Sequence, residues 1–148
     1  MIVVLGIGFR AQDGGEAGAG VVTSRARMRI ESIRWLSKPA QEAEVTVSDG
    51  SFTCEAYSMP CNASVGDVLL QPLHLFGVRI AMRIETGTIG IRKSSELGLG
   101  QQVVATVRSF GEGRLSVGGI ELVLDDPLPG GIQDGDMVKL DCARIDLW

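Results

Sequence analysis

From Met28 onward, apolar and polar residues alternate with a period of two, the pattern of strands that bury one face. In Arg25–Ile30 the arginines Arg25, Arg27 and Arg29 alternate with Ala26, Met28 and Ile30. The alternation slips near Ser32, which predicts a bulge, and beyond it Ile33 and Trp35 turn toward the core. Ser37-Lys38-Pro39 ends that strand. The sharpest local signal is Ala43–Ala56, where Asp49-Gly50 sits between two alternating runs, the sequence form of a tight hairpin. A two-residue loop there pairs Val47 with Phe52, Val45 with Cys54 and Ala43 with Ala56 on the core side. It also sets Glu44 opposite Glu55 on the outer side.

Further strands follow. Val78, Ile80, Met82 and Ile84 line one face of Gly77–Glu85, with Arg79, Arg83 and Glu85 on the other. Thr86-Gly87 turns the chain into Thr88–Arg92, and Ser94–Leu97 reads as a short helical turn closed by Gly98. Gln102–Phe110 is apolar on both faces, as a central strand is. Arg114–Val117, then Ile120, Leu122 and Leu124, then Val138, Leu140 and Cys142 mark three more, and a bulge near Ala143 brings in Ile145 and Leu147. No window holds helical spacing for long. The expectation is an all-β chain: a small β-barrel of the OB-like or a related kind, with a two-sheet sandwich as the alternative and at most one short helix.

One internal echo stands out. Ser64-Val65-Gly66-Asp67-Val68-Leu69 resembles Gln133-Asp134-Gly135-Asp136-Met137-Val138. Gly-Asp before an apolar strand is ordinary turn chemistry, and that reading is preferred here to a pseudo-symmetric pair of β-motifs. Residues 1–27 differ from the rest: they carry six glycines between Gly6 and Gly20 and no periodicity after Phe9. They read as a Gly-rich leader before a single β-barrel domain over residues 28–148.

Composition changes this picture little. The chain has 148 residues, 45% of them hydrophobic, and no apolar run long enough to span a membrane. Gly is abundant at 20 residues while aromatics are 5%, which favours many turns and leaves few stacking surfaces. The net charge of −4 opposes a general attraction to nucleic acid. It is unevenly spread, with six basic against three acidic residues in the first forty and an acidic excess thereafter. Cys54, Cys61 and Cys142 make no closed disulfide framework, so a reducing cytoplasm is the expected compartment.

Candidate chemistry is thin. Gly6-x-Gly8-x-x-Ala11 runs into Gln12-Asp13-Gly14-Gly15, which cannot open the helix that a dinucleotide site needs. The cysteines and His74 lack the close ligand pairs of a zinc site. No cofactor, no metal and no catalytic residue is therefore expected. Two clusters remain. Arg25, Arg27, Arg29, Arg34 and Trp35 join positive charge to an aromatic and suit a partner or an anion. Glu44, Glu55, His74, Arg79 and Arg83 form a polar set that would serve a small-ligand enzyme or carrier if they converged. The leading expectation is a non-enzymatic binding or assembly module, acting through an exposed strand edge or the Arg25/Arg27/Arg29 face on a protein partner or a second copy. A single-stranded nucleic-acid-binding barrel is the alternative.

Overall fold

The computed structural model describes residues 27–148. The leader expected over residues 1–27, with Arg25, lies outside them except for Arg27. The described residues are all-β, with no helix. No helix among them is long and apolar enough to cross a membrane. The strands are β1 (Met28–Ser37), β2 (Glu42–Ser48), β3 (Thr53–Ser58), β4 (Val68–Leu69), β5 (Leu73–Phe76), β6 (Arg79–Ile84), β7 (Gly90–Lys93), β8 (Gln101–Ser109), β9 (Arg114–Val117), β10 (Ile120–Leu124), β11 (Met137–Cys142) and β12 (Arg144–Asp146). They form one continuous ladder in the order β4-β1-β2-β3-β12-β5-β10-β9-β8-β11-β6, with β7 also paired to β8. The ladder is open at β4 and β6, so it does not close into the ring of a barrel.

That order reads the same outward in both directions from the β12–β5 pair until β6 is reached. One way runs β12, β3, β2, β1, β4; the other runs β5, β10, β9, β8, β11. The first five strands thus map onto the last five. The registers agree as well. In the first half Arg29 faces Ser48, Ile30 faces Val47, and a bulge precedes the Ser32–Thr46 pair. In the second, Thr106 faces Ser116, Val107 faces Leu115, and a bulge precedes the Ser109–Arg114 pair. β3 runs parallel to β12, as β10 does to β5.

The two Gly-Asp turns are the same object. Gly66 N–H donates to Ile30 O at 2.8 Å, and Ile30 N–H donates to Asp67 O at 2.9 Å. Gly135 and Asp136 make the same pair of bonds with Val107, each at 2.8 Å. In each turn the aspartate Oδ2 accepts the amide three residues back, Ser64 or Gln133, at 2.9 Å. Gly66 and Gly135 sit at φ +95° and +92°, where side-chain-bearing residues are strained. The echo in the sequence therefore marks a pseudo-two-fold repeat rather than unrelated turns.

A single apolar cluster fills the fold. Ile30, Val45, Val47, Ala56, Leu73, Leu75, Val107, Leu115, Leu122, Val138, Leu140 and Ile145 are all buried in it. β8 is central, as its two-sided apolar run predicted, and Ala143 interrupts β11 and β12.

Four local expectations need correction. The hairpin loop spans four residues, so Val47 faces Cys54 and Val45 faces Ala56. Asp49 causes the shift: its Oδ1 accepts the amides of Ser51 (2.8 Å) and Phe52 (2.7 Å), holding the chain in a wider turn. A shift of two keeps every side chain on its expected face, but Glu55 now faces Thr46 and Glu44 faces Tyr57. Second, β6 does not bury Ile80 and Met82, which are 67% and 46% exposed. Its register jumps between the pairs with Lys139 and Asp141, and Ile80 sits at φ +55°, so a bulge breaks the alternation on this terminal strand. Third, Trp35 is 40% exposed, because the end of β1 runs beyond the core with β2 as its neighbour. Fourth, Ser94–Leu97 forms bends and no helical turn.

Candidate binding face

The β12–β5 pair lies on the pseudo-axis, and its outward side chains form the most distinctive surface of the described chain. Leu75 and Ile145 point into the core, so alternation sends His74, Phe76, Arg144 and Asp146 to the opposite face, where Asp146 is itself covered and only 8% exposed. Arg144 faces Phe76 and Asp146 faces His74, while Asp146 also aligns with Tyr57 of β3. The Arg144 guanidinium lies 4.7 Å from the Tyr57 ring centre and 4.6 Å from that of Phe76. It forks onto Asp146, with Nε 2.6 Å from Oδ1 and Nη2 3.1 Å from Oδ2. The Asp146 bond raises the Arg144 pKa further. Both aromatics are thus held by a cation that is already neutralised.

Around this centre the rings are pinned. Tyr57 Oη donates to Glu42 Oε2 at 2.5 Å, which pushes the phenol above its ordinary range. The His74 ring stacks on Trp148 at 3.8 Å and 11°. Its Nδ1 has no hydrogen-bond partner and lies 3.8 Å from Asp125 Oδ1. Trp148 is 80% exposed and Phe76 52%. Beside Trp148 runs a groove of about 510 Å³, lined by Ser58, Met59, Pro60, Asn62, Ala63, Leu69, Leu147 and Trp148.

The two clusters expected from sequence are dispersed. Glu44, 3% exposed, is bound by Arg34 and by Lys93 at 2.7 Å. Burial alone would raise its pKa, but these two cations outweigh it and hold the carboxyl below its usual value. Glu55 accepts from Thr46 Oγ1 at 2.9 Å, and Arg83 on β6 pairs at 2.8 Å with Glu85, just past the strand's end. Arg79 is also on β6, two strands away from β8, whereas His74 is on β5. Glu44 and Glu55 stay diagonal neighbours on β2 and β3, and Arg79 and Arg83 share β6, but these two pairs and His74 stand on separate parts of the ladder. In the basic cluster, Arg27 and Arg29 are exposed at the start of β1, while Arg34 is committed to Glu44 and Trp35 lies beyond the core. Arg25 lies outside the described residues.

The cysteines are buried among apolar neighbours. Burial pushes the Cys142 thiol up to about 11 and Cys54 higher still, which keeps both protonated and poor nucleophiles. Among the described residues no group of His, Cys, Asp and Glu is arranged to hold a metal ion.

Sequence reading missed the axial face because its parts come from β3, β5 and β12, far apart in the chain. The one local signal was the Arg144-Ile145-Asp146 alternation with an aromatic close behind it. Comparison with family models, curated proteins and solved structures finds no match to this chain.

Proposed function

We propose that this protein is a non-enzymatic binding module that docks a protein partner on the axial face. The observation that carries this reading is the clustering of Tyr57, Phe76, Trp148 and Arg144 beside an apolar groove. Tyr, Trp, Phe, Met and Arg are the residues enriched at the centres of protein interfaces. Tyr57 bonds Glu42 and Trp148 stacks on His74, contacts that reduce the side-chain entropy lost on docking. Exposed apolar side chains at Met59 and Leu70 extend the same region. A mostly strand-built surface whose acids are locally paired offers shape and apolar contact rather than a general charge field.

The chemistry of the polar groups fits the same conclusion. Glu44, Glu55 and Asp146 each have a local partner, and His74 contacts an indole. The axial face lies in the middle of the ladder and is a different surface from the strand edge and the Arg25/Arg27/Arg29 face expected from sequence.

The reading is tested by affinity capture with Phe76→Ser and Trp148→Ser baits, followed by sedimentation of each protein alone. Each substitution is expected to weaken partner capture about tenfold or more, the loss typical of a hot-spot side chain. Ile80→Ser on β6 is expected to leave capture intact. Capture unaffected by Phe76→Ser and Trp148→Ser together would refute the assignment.

A further inference from the structure

A second surface carries a different chemistry. The outer face of β8–β10 holds a hollow of about 490 Å³ lined by Arg108, Arg114, Ser116, Gly118, Gly119 and Glu121, among others. Arg108 Nε donates to Ser116 Oγ at 2.8 Å, and Ser116 is 6% exposed, so the hydroxyl fixes the guanidinium from below. That bond uses the Nε–H and leaves the N–H groups of both terminal nitrogens for another acceptor. Among the described residues Arg108 has no carboxylate partner. Among the described residues the one ion pair of Arg114 is with Glu112, at 3.4 Å, with the two side chains 44% and 71% exposed.

The pseudo-symmetry shows that the fold does not require these arginines. By register, Ser116 corresponds to Ser48, Arg114 to Thr46, and the bulge residue Arg108 to Glu31. The same backbone frame therefore stands in the first half with a carboxylate and a hydroxyl where the second has two guanidinium groups. Nor do the arginines guard an edge against aggregation, because β8, β9 and β10 each have strands on both sides. The start of β1 abuts β10 from the core side, where buried Met28 accepts the Glu121 amide at Sδ, 3.5 Å away.

We propose that this hollow binds a small phosphorylated ligand, its phosphoryl oxygens held by Arg108 and Arg114 and approached by the Ser116 hydroxyl. Guanidinium forks match phosphoryl geometry with two parallel N–H bonds. The site is independent of the axial face. The probe is inorganic pyrophosphate, titrated calorimetrically into the full chain, with citrate as a non-phosphorylated anion of high charge and a thymidine oligonucleotide as a polymeric phosphate. Saturable pyrophosphate binding is expected, weakened about tenfold or more by Arg108→Gln and by Arg114→Gln. Arg92→Gln, Phe76→Ser and Trp148→Ser are expected to leave it unchanged. Circular dichroism and urea midpoints confirm that the variants fold, and these exposed positions should shift them little. Absence of saturable pyrophosphate binding, equal binding by the two glutamine variants, equal affinity for citrate, or binding of the oligonucleotide alone would each overturn the proposal.

Discussion

At the scale of single residues, two positions carry effects that sequence could not reveal. Glu44 looked like one half of a carboxylate pair and is instead a buried anion between Arg34 and Lys93. Its folded pKa is depressed, so its charged form favours the fold. That contribution is present above the ordinary carboxylate range and is lost as pH falls through the folded pKa. Glu44→Gln should lower stability at neutral pH by about 1–3 kcal/mol, the range for hydrogen bonds to charged groups. It should also flatten the acid side of the urea-midpoint profile against pH. Ile80 is the opposite case. At φ +55° and 67% exposed it has strain to lose and little burial to forfeit. Ile80→Gly should therefore be neutral or stabilising by up to about 1 kcal/mol, measured by urea denaturation, whereas glycine in a regular strand normally destabilises. The sequence showed which side chains alternate; it did not show a left-handed backbone, because no local residue preference asks for one at an isoleucine.

At the scale of elements, alternation identified most strands and the central place of β8. The bulge near Ser32 was legible as a break in period, and its counterpart before Ser109 was not, since the preceding Val103–Val107 run is apolar on both faces and sets no period to break. The hairpin was found with the right faces and a register two residues off. Asp-Gly signals a tight loop, but the Asp49 carboxylate captures three amides, those of Ser51, Phe52 and Gly119, and so widens it. Burial alone would raise the Asp49 pKa; these bonds hold it down. The Gly-Asp turns give the sharpest test at this scale. Asp67→Ala and Asp136→Ala each remove one side-chain-to-amide bond of the same 2.9 Å length. Each should cost about 0.5–1.5 kcal/mol by urea denaturation, and the two losses should be alike. A large difference between them would show that the two turns are not energetically equivalent. The strand β6 failed as a sequence expectation for a physical reason: a terminal strand with one neighbour tolerates a bulge that a central strand would not.

At the scale of the whole molecule, the palindromic strand order explains where the candidate site sits. Two similar halves meet at β12 and β5, and each contributes one short strand to the other's neighbour, so β3 lines up with β12 and β10 with β5. The outward residues at that seam belong to neither half alone. His74, Phe76, Arg144 and Asp146 are brought together only once both halves have formed. This is why the site was not legible: alternation predicts a side chain's face, but not which distant strand will stand beside it. The halves share their backbone registers and differ in their side chains, as Thr46 and Arg114 illustrate. The central claim is that a partner covers the seam. Hydroxyl-radical footprinting of the captured complex reads it directly, because Trp148, Met59, Phe76 and Tyr57 are all oxidisable reporters on that face. Reduced oxidation is expected at those four in the complex, with unchanged oxidation at Ile80, Met82 and Leu97, which are also exposed. Protection confined to Ile80 and Met82, with Trp148 and Phe76 oxidised as in the free protein, would contradict it.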